Sequence, residues 1–166
     1  MTTMLSNGAK VELVRLIIER LNQDLALFLN AARTSHKAAI DEENQPDNKY
    51  DTTALEASYI AQGQANRAQE LRQSIETYKQ LALSPASDII RLTSIITLED
   101  ESGVQKYVFI GPLEGGLKVL TASGIVVMVI TPASPLGKAL IGRSLGDTVE
   151  IKAGTAGIRN QIIEIT

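Results

Sequence analysis

The chain has 166 residues, of which 44% are hydrophobic and 21% charged, and this composition fits a globular protein of one domain or two small ones. A net charge of −3, an aromatic content of 4% and the absence of Trp argue against a general nucleic-acid-binding surface. The absence of Cys excludes disulfides, thiolate ligands and thiol nucleophiles.

The start of the chain lacks a basic region followed by an apolar run, so no secretory signal is predicted. The apolar run "IVVMVI" (125–130) is too short to span a bilayer. A cytoplasmic protein is therefore expected.

A first long helix is predicted from Val11 to Ala39, where apolar residues recur at the alternating spacing of a coiled-coil seam. Neither Pro nor Gly interrupts residues 9–44. At about 1.5 Å per residue, roughly 30 residues make a rod of about 45 Å. The predicted seam consists of Val14, Ile18, Leu21, Leu25, Phe28 and Ala32.

A second helix is predicted from about Thr53 to Ala82, with Thr53 and Glu56 placed as a capping box. The side chains of its seam are small near the start of the helix and bulky near its end. The two helices predict an antiparallel hairpin, residues 1–84, that packs most firmly at its base. The seam residues are Ala54, Ala57, Ala61, Ala68, Leu71, Ile75, Tyr78 and Ala82.

The turn between the helices, "AIDEENQPDNKYDTT" (39–53), is strongly acidic. It is either a solvated loop or a set of carboxylates held at the end of the hairpin. Carboxylates are ligands of Mg²⁺, but two exposed unit charges 4 Å apart interact by only about 1 kcal/mol in water. Such a turn binds metal strongly only if a partner supplies further ligands and excludes water. Its acids are Asp41, Glu42, Glu43, Asp47 and Asp51.

After the linker "LSPASD" (83–88) the pattern changes to short β runs, which predicts a second domain, residues 85–166. Strands are predicted at 89–98, 106–111, 117–120, 125–131, 148–152 and 159–166. One short helix lies within 132–142, with Ser134 as its cap, Pro135 at its first position and Gly142 at its stop. The predicted fold class is α+β: a helical hairpin followed by a small, mostly antiparallel sheet with one helix.

The sequence contains few residues or motifs that are typical of an enzyme active site. His36 is the single histidine and is expected on a helix surface, and zinc would need more His or Cys. "GPLEGG" (111–116) and "GTAG" (154–157) are predicted to be hairpin turns rather than phosphate loops. A mixed solvated surface is favoured for the basic residues of the second domain, with partner contact left open. These are Lys138, Arg143, Lys152 and Arg159.

The segment "VVMVITPASPLGKALIGRSLGDTVEIKAG" (126–154), with "NQIIEI" (160–165), resembles the C-terminal domain of the bacterial Gre transcript-cleavage factors. The shared features are a strand, the Ser134-Pro135 helix start, "KALIG" (138–142), "GD" (146–147) and the final strands. The first half is similar in layout to the hairpin of that family, whose tip carries a motif D-x-x-E-N-A-E-Y. Here "EENQPDNKYDTTALEASY" (42–59) stands at that place.

The resemblance implies a function in transcription. In that family the hairpin enters the secondary channel of RNA polymerase, and an FKBP-like C-terminal domain docks at its rim. The tip carboxylates help hold a weakly bound Mg²⁺ that the polymerase completes, and backtracked RNA is hydrolysed. On this basis Glu43 and Asp47 are the expected catalytic and metal-binding residues, and Asp41 and Glu42 are possible substitutes. The chain would not be an enzyme alone. Its partners would be RNA polymerase and, indirectly, nascent RNA, with no membrane and no small-molecule substrate.

The tip departs from the family motif. Glu43 and Asp47 are four positions apart rather than three, Pro46 lies between them, and Lys49 replaces an acidic or small residue. Positioning dominates such chemistry, so an alternative is a non-cleaving regulator or competitor in the same channel. A peptidyl-prolyl isomerase and a structural adaptor with a merely soluble tip are the remaining alternatives. The isomerase would need an aromatic-lined pocket, and Tyr107 and Phe109 are the aromatics after residue 87.

Overall fold

A computed structural model describes residues 7–43 and 51–166 of the chain. It confirms the predicted α+β class, with a helical hairpin followed by a sheet domain that carries one short helix. The elements are α1 (Asn7–Glu43), α2 (Asp51–Lys79), β1 (Ile95–Asp100), β2 (Gln105–Ile110), β3 (Lys118–Leu120), β4 (Val126–Ile130), α3 (Pro135–Leu140), β5 (Thr148–Ala153) and β6 (Ala156–Ile165).

The chain divides into two compact units, and α1 contributes to both. The helical unit is Ile18–Lys79. The second unit, called here the sheet unit, joins the chain up to Ile17 with Gln80–Thr166. The first turns of α1, up to Ile17, therefore belong to the sheet unit, and the rest of α1 belongs to the helical unit. The domain border predicted between residues 84 and 85 stays a prediction.

The buried stripe of α1 begins one position earlier than predicted. Leu13, Ile17 and Leu21 are almost fully buried, whereas Val14 and Ile18 are half-buried. Steps of four residues from Leu13 bring the stripe to Leu21, where the predicted and observed seams meet. The predicted seam was therefore right at Leu21 and wrong at Val14 and Ile18.

Helix α2 follows its predicted seam over the part whose side chains are described. The bulky residues near its end are buried, which agrees with a hairpin that is firmest at its base. Ala82 was wrongly included, because α2 ends at Lys79 and Ala82 is exposed. The side chains of Ala54 and Ala57, like the Thr53–Glu56 capping box, lie outside the described residues. The buried seam residues are Ala61, Ala68, Leu71, Ile75 and Tyr78.

The sheet has the strand order β3-β4-β2-β1-β6-β5. Neighbouring strands are antiparallel except β2 and β4, which run parallel with Val108 opposite Met128. The hairpin predicted at 111–116 is therefore wrong, because β4 lies between β2 and β3 and the segment crosses over it. The turn predicted at 154–157 is confirmed, since β5 and β6 pair up to Ala153 and Ala156 around Gly154 at φ +67°.

The first strand begins at Ile95 rather than at Ile89. A tight turn precedes it, in which the amide of Ser94 donates to the carbonyl of Arg91 at 3.0 Å and Thr93 takes a φ of +72°. Ile89 itself forms an isolated bridge to Ser144. The β-branched run at 89–98 was predicted as one strand. This turn divides the run, so the predicted start of the strand was too early.

Helix α3 forms as its local sequence predicts. Ser134 is its N-cap, the Ser134 hydroxyl accepts from the amide of Gly137 at 3.0 Å, and Pro135 opens the helix. Gly142 follows the helix at φ +84°, which is the left-handed stop expected of glycine. The core beside this helix draws on five strands. It consists of Ile90, Ile96, Leu98, Val108, Ile110, Ile130, Leu140, Val149 and Ile162.

One lysine is buried within the sheet unit. The side chain of Lys10, on the first turns of α1, is 1% exposed. Burial lowers the pKa of the Lys10 ammonium below its usual 10.5, and the positive charge of Arg91 acts in the same direction. The protonated form is thus less favourable in the folded chain than in the unfolded chain.

This burial predicts a pH dependence of stability. Below the folded pKa the penalty on the charged form is fully present, and it is relieved as the pH rises from the folded pKa towards 10.5. The free energy of unfolding of the wild type should therefore gain on that of Lys10→Met between neutral pH and about pH 10. Urea unfolding at several pH values measures this difference. Lys10→Arg is the control, because its guanidinium stays protonated. Wild-type and Lys10→Met curves that stay parallel would contradict the prediction.

Candidate functional site

The predicted tip acids lie where α1 ends. Asp41, Glu42 and Glu43 form part of the last turn of α1, and α2 begins at Asp51. Asp47 lies in residues 44–50, outside the described residues. The structure thus brings three of the predicted acids together on one helical turn, and the role of the Glu43–Asp47 pair stays a prediction.

This placement opposes the electrostatics of the helix. A helix C-terminus carries a partial negative charge, so each anion there costs roughly 0.3–1 kcal/mol. The last turn of α1 contains no basic residue to offset it. Consecutive acids at Asp41, Glu42 and Glu43 are therefore a local conflict between sequence and fold, and such conflicts are typical of functional sites. Asp51, in contrast, stands at the favourable N-terminal end of α2.

Nothing in the described part tests the predicted metal. Within residues 7–43 and 51–166, no group of three or more His, Cys, Asp or Glu that could hold a metal ion is found among the described side chains. The tip acids and His36 contribute no described side chain to that comparison. The tip donors are all oxygen atoms, which is the ligand type that Mg²⁺ prefers. The chemistry of this donor set therefore fits the ion.

A second candidate site is a groove in the sheet unit, called here the α3 groove. Two adjoining cavities of about 820 and 410 Å³ share Met128, Leu136 and Ile151 in their walls. Sheet strands supply most of the lining, and α3 supplies Pro135, Leu136 and Ala139. The apolar residues that line it are Leu98, Val108, Val126, Met128, Ile130, Pro135, Leu136, Ala139 and Ile151.

Charged residues border the α3 groove with an excess of positive charge. Lys106 lies opposite Leu98 in the β1–β2 pair, and Lys118 lies opposite Met128 in the β3–β4 pair. Lys152 adds a third cation, and Glu150 is the carboxylate among the residues that line the groove. An apolar floor with a mainly basic rim suits a partner segment that is apolar in its centre and acidic at its edges.

Sequence reasoning found only part of this rim. Lys152 belonged to the predicted basic set, whereas Lys106 and Lys118 were missed. The alternation of a strand gave a usable signal, because Lys106 shares a face with the buried Val108 two positions on. Lys138, Arg143 and Arg159 do not line the groove.

The groove is poor in aromatic residues. Phe109 is fully buried in the sheet and does not line the groove, so Tyr107 is its aromatic residue. The Tyr107 hydroxyl donates to the side chain of Gln105 at 2.9 Å. An isomerase pocket is lined by several aromatic side chains, and this groove lacks them.

No described helix is long and apolar enough to cross a membrane.

Comparison with known proteins points in one direction. Residues 85–166 match the family described as "Transcription elongation factor, GreA/GreB, C-term". The transcription elongation factor GreA of Thermotoga neapolitana is 26% identical over 95% of this chain and 97% of its own length. GreA of Syntrophus aciditrophicus is 34% identical over 60% of this chain and 58% of its own length.

Among solved structures, GreA factor homolog 1 (Gfh1) of Thermus thermophilus aligns with 90% of this chain and 94% of its own, at 25% identity and a TM-score of 0.37. Gfh1 of Thermus aquaticus aligns with 89% and 92%, at 24% identity and a TM-score of 0.40. Together, the family match over residues 85–166 and the GreA relatives that extend over nearly the whole chain give one answer. Residues 85–166 of the chain belong to the GreA/GreB family of transcription elongation factors.

Proposed function

We propose that this chain binds RNA polymerase, reaches into its secondary channel with the acidic end of the hairpin, and stimulates cleavage of backtracked RNA. The observation that supports this most is the placement of three acids on the last turn of a 37-residue helix. At about 1.5 Å per residue such a helix is roughly 55 Å long, which is a suitable length for reaching a distant site.

The chain acts as a donor of ligands rather than as a nuclease. Glu43 and Asp47, assisted by Asp41 or Glu42, would hold one side of a Mg²⁺ ion, and the carboxylates of the polymerase would hold the other. A bound Mg²⁺ supplies charge neutralisation and an activated water at a phosphodiester. The tip residues contribute by positioning, and they gain strength only when the polymerase excludes water around them.

The α3 groove is proposed as the surface that docks the sheet unit on the polymerase. Its basic rim predicts that reversing Lys106, Lys118 and Lys152 together to Glu weakens binding by about tenfold or more, since like charges then face the acidic edge of the partner. Binding of fluorescently labelled chain to RNA polymerase, at two salt concentrations, measures the loss. Reversal of the exposed Lys138, which does not line the groove, is the control. Equal affinities for the triple variant and the wild type would contradict this docking surface.

A stalled elongation complex tests the proposed function. Purified chain is added to backtracked complexes, and the release of short RNA fragments from the 3′ end is followed with time. Faster release in the presence of wild-type chain supports cleavage. The Glu43–Asp47 spacing and Pro46 favour a second candidate, a channel occupant that does not cleave. That candidate predicts tight binding, unchanged fragment release and slower nucleotide addition. Absence of binding would contradict both.

A further inference from the structure

The first turns of α1 are tied to the linker by a hydrogen bond whose donor is almost completely buried. The Lys10 ammonium donates to the backbone carbonyl of Ser84 at 2.8 Å, and Lys10 is 1% exposed. Lysine is rarely buried to this extent. A buried hydrogen-bond donor costs stability unless it is paired with an acceptor. The contacts that hold Ser84 in place therefore determine how firmly Lys10 is held.

Ser84 is fixed by the turn that precedes β1. Its amide donates to the hydroxyl of Thr93 at 2.8 Å, and its own hydroxyl donates to the carbonyl of Leu92 at 3.0 Å. The hydroxyls of Ser84 and Thr93 are also 2.6 Å apart. The linker is therefore tied to the turn at several atoms.

Thr93 carries the connection into the sheet. Its amide donates to the carbonyl of Ile110 in β2 at 2.8 Å, and its side chain is buried. Its φ of +72° is unusual for a β-branched residue and persists only where neighbouring contacts over-determine the backbone. The series of contacts therefore runs from α1 through the linker and the turn to the sheet.

Apolar packing alone does not fill this contact. Leu13 is buried beside the sheet, but a cavity of about 200 Å³ remains among residues that include Ala9, Leu13, Ile95 and Val127. This cavity is a cleft that opens to the surface, so apolar contacts do not extend across it. The polar series ties α1 to the linker beside this cleft.

We propose that Lys10, Ser84 and Thr93 form a latch that fixes the start of α1 and the linker to the sheet. Lys10 is a positioning residue in this assignment, and it acts on the same helix that ends at Asp41–Glu43. The latch stands on contacts within the sheet unit and does not depend on the proposed function.

Hydrogen exchange on the full chain tests the latch. Lys10→Met should speed exchange of the amides in 80–94 by about tenfold or more, because the linker loses its tie, while amides of β1 and β6 keep wild-type rates. Lys37→Met, which changes an exposed lysine on the same helix, is the control. Thr93→Ala should raise the same rates, and Thr93→Ser, which keeps the hydroxyl, should stay within about threefold of the wild type. Unchanged linker exchange in Lys10→Met, or an equal rise throughout 80–166, would overturn the latch.

Lysine acylation of the wild type gives a test that needs no variant. Only the neutral amine reacts, and a lowered pKa of Lys10 increases its neutral fraction, so each rate is corrected by the neutral fraction measured from its pH dependence. A closed latch predicts that the corrected rate of Lys10 is about tenfold below that of Lys37, because its amine is buried and hydrogen-bonded. Equal corrected rates at the two lysines would show an open latch and overturn the inference.

Discussion

Replacing Gly137 with Ala should destabilise the sheet unit by about 3 kcal/mol, the upper part of the range for overpacking. A Cβ at this position would lie 1.9 Å from the carbonyl oxygen of Thr131 and 3.0 Å from the Ser134 hydroxyl. The carbonyl cannot move aside without loss, because it accepts from the hydroxyl and the amide of Ser134 at 2.7 and 3.0 Å. The substitution therefore breaks the N-cap of α3 or displaces the helix from the core.

The same substitution at Gly63 is the matched control. No atom lies within 4 Å of the Cβ that it would add, and the residue is exposed within α2. Removing a helical glycine there should raise the free energy of unfolding by about 1 kcal/mol. Equilibrium urea unfolding of both variants measures the contrast. No loss of stability in Gly137→Ala would contradict the packing described around α3, and a loss in Gly63→Ala would contradict the open surroundings described for Gly63.

Neutralising the tip should have the largest effect on function. The variant that combines Asp41→Asn, Glu42→Gln, Glu43→Gln and Asp47→Asn should slow stimulated RNA cleavage by about a hundredfold or more, because misplaced or missing ligands cost that much in positioned chemistry. The same variant should be more stable than the wild type. Each anion removed from the C-terminal turn of α1 relieves roughly 0.3–1 kcal/mol of unfavourable interaction with the helix.

The two readouts together separate function from folding. Fragment release from backtracked complexes gives the activity, and urea unfolding gives the stability. The control variant neutralises three exposed acids elsewhere, Glu19, Asp88 and Glu101, and should keep wild-type cleavage. A tip variant that cleaves at the wild-type rate would contradict a role for the acids. A tip variant that loses activity and stability together would indicate a folding defect instead.

Sequence reasoning was most accurate where structure is decided locally. The Ser134 cap, Pro135 at the helix start and Gly142 at its stop are each set by neighbouring backbone groups, and all three were predicted. The parallel pairing of β2 with β4 was not predicted, because the residues of "GPLEGG" do not indicate that β4 lies between β2 and β3. The late start of β1 was missed because the unusual φ of Thr93 comes from contacts with Ser84 and Ile110.

The two candidate sites also differ in how far the sequence predicts them. The acids follow from sequence only in part: charge and helical periodicity place them in the turn after a helix that ends at Ala39, whereas α1 continues to Glu43 and includes three of them. The α3 groove does not follow from sequence, because its walls come from strands far apart in the chain that only the sheet order brings together. Lys106 and Lys118 looked like ordinary exposed strand residues until their register with Leu98 and Met128 was known.

The absence of Cys makes the central claim directly measurable. A single cysteine at Asn48→Cys in the acidic turn can carry a tethered iron chelate that cuts nearby protein backbone. The proposed function predicts cuts in RNA polymerase at the segments that bear its catalytic aspartates, whether or not the chain stimulates cleavage. A chelate at Ser102→Cys, in the exposed turn between β1 and β2, should cut elsewhere. Cuts from position 48 that fall only on the outer surface of the polymerase, or none at all, would contradict a hairpin that works inside the secondary channel.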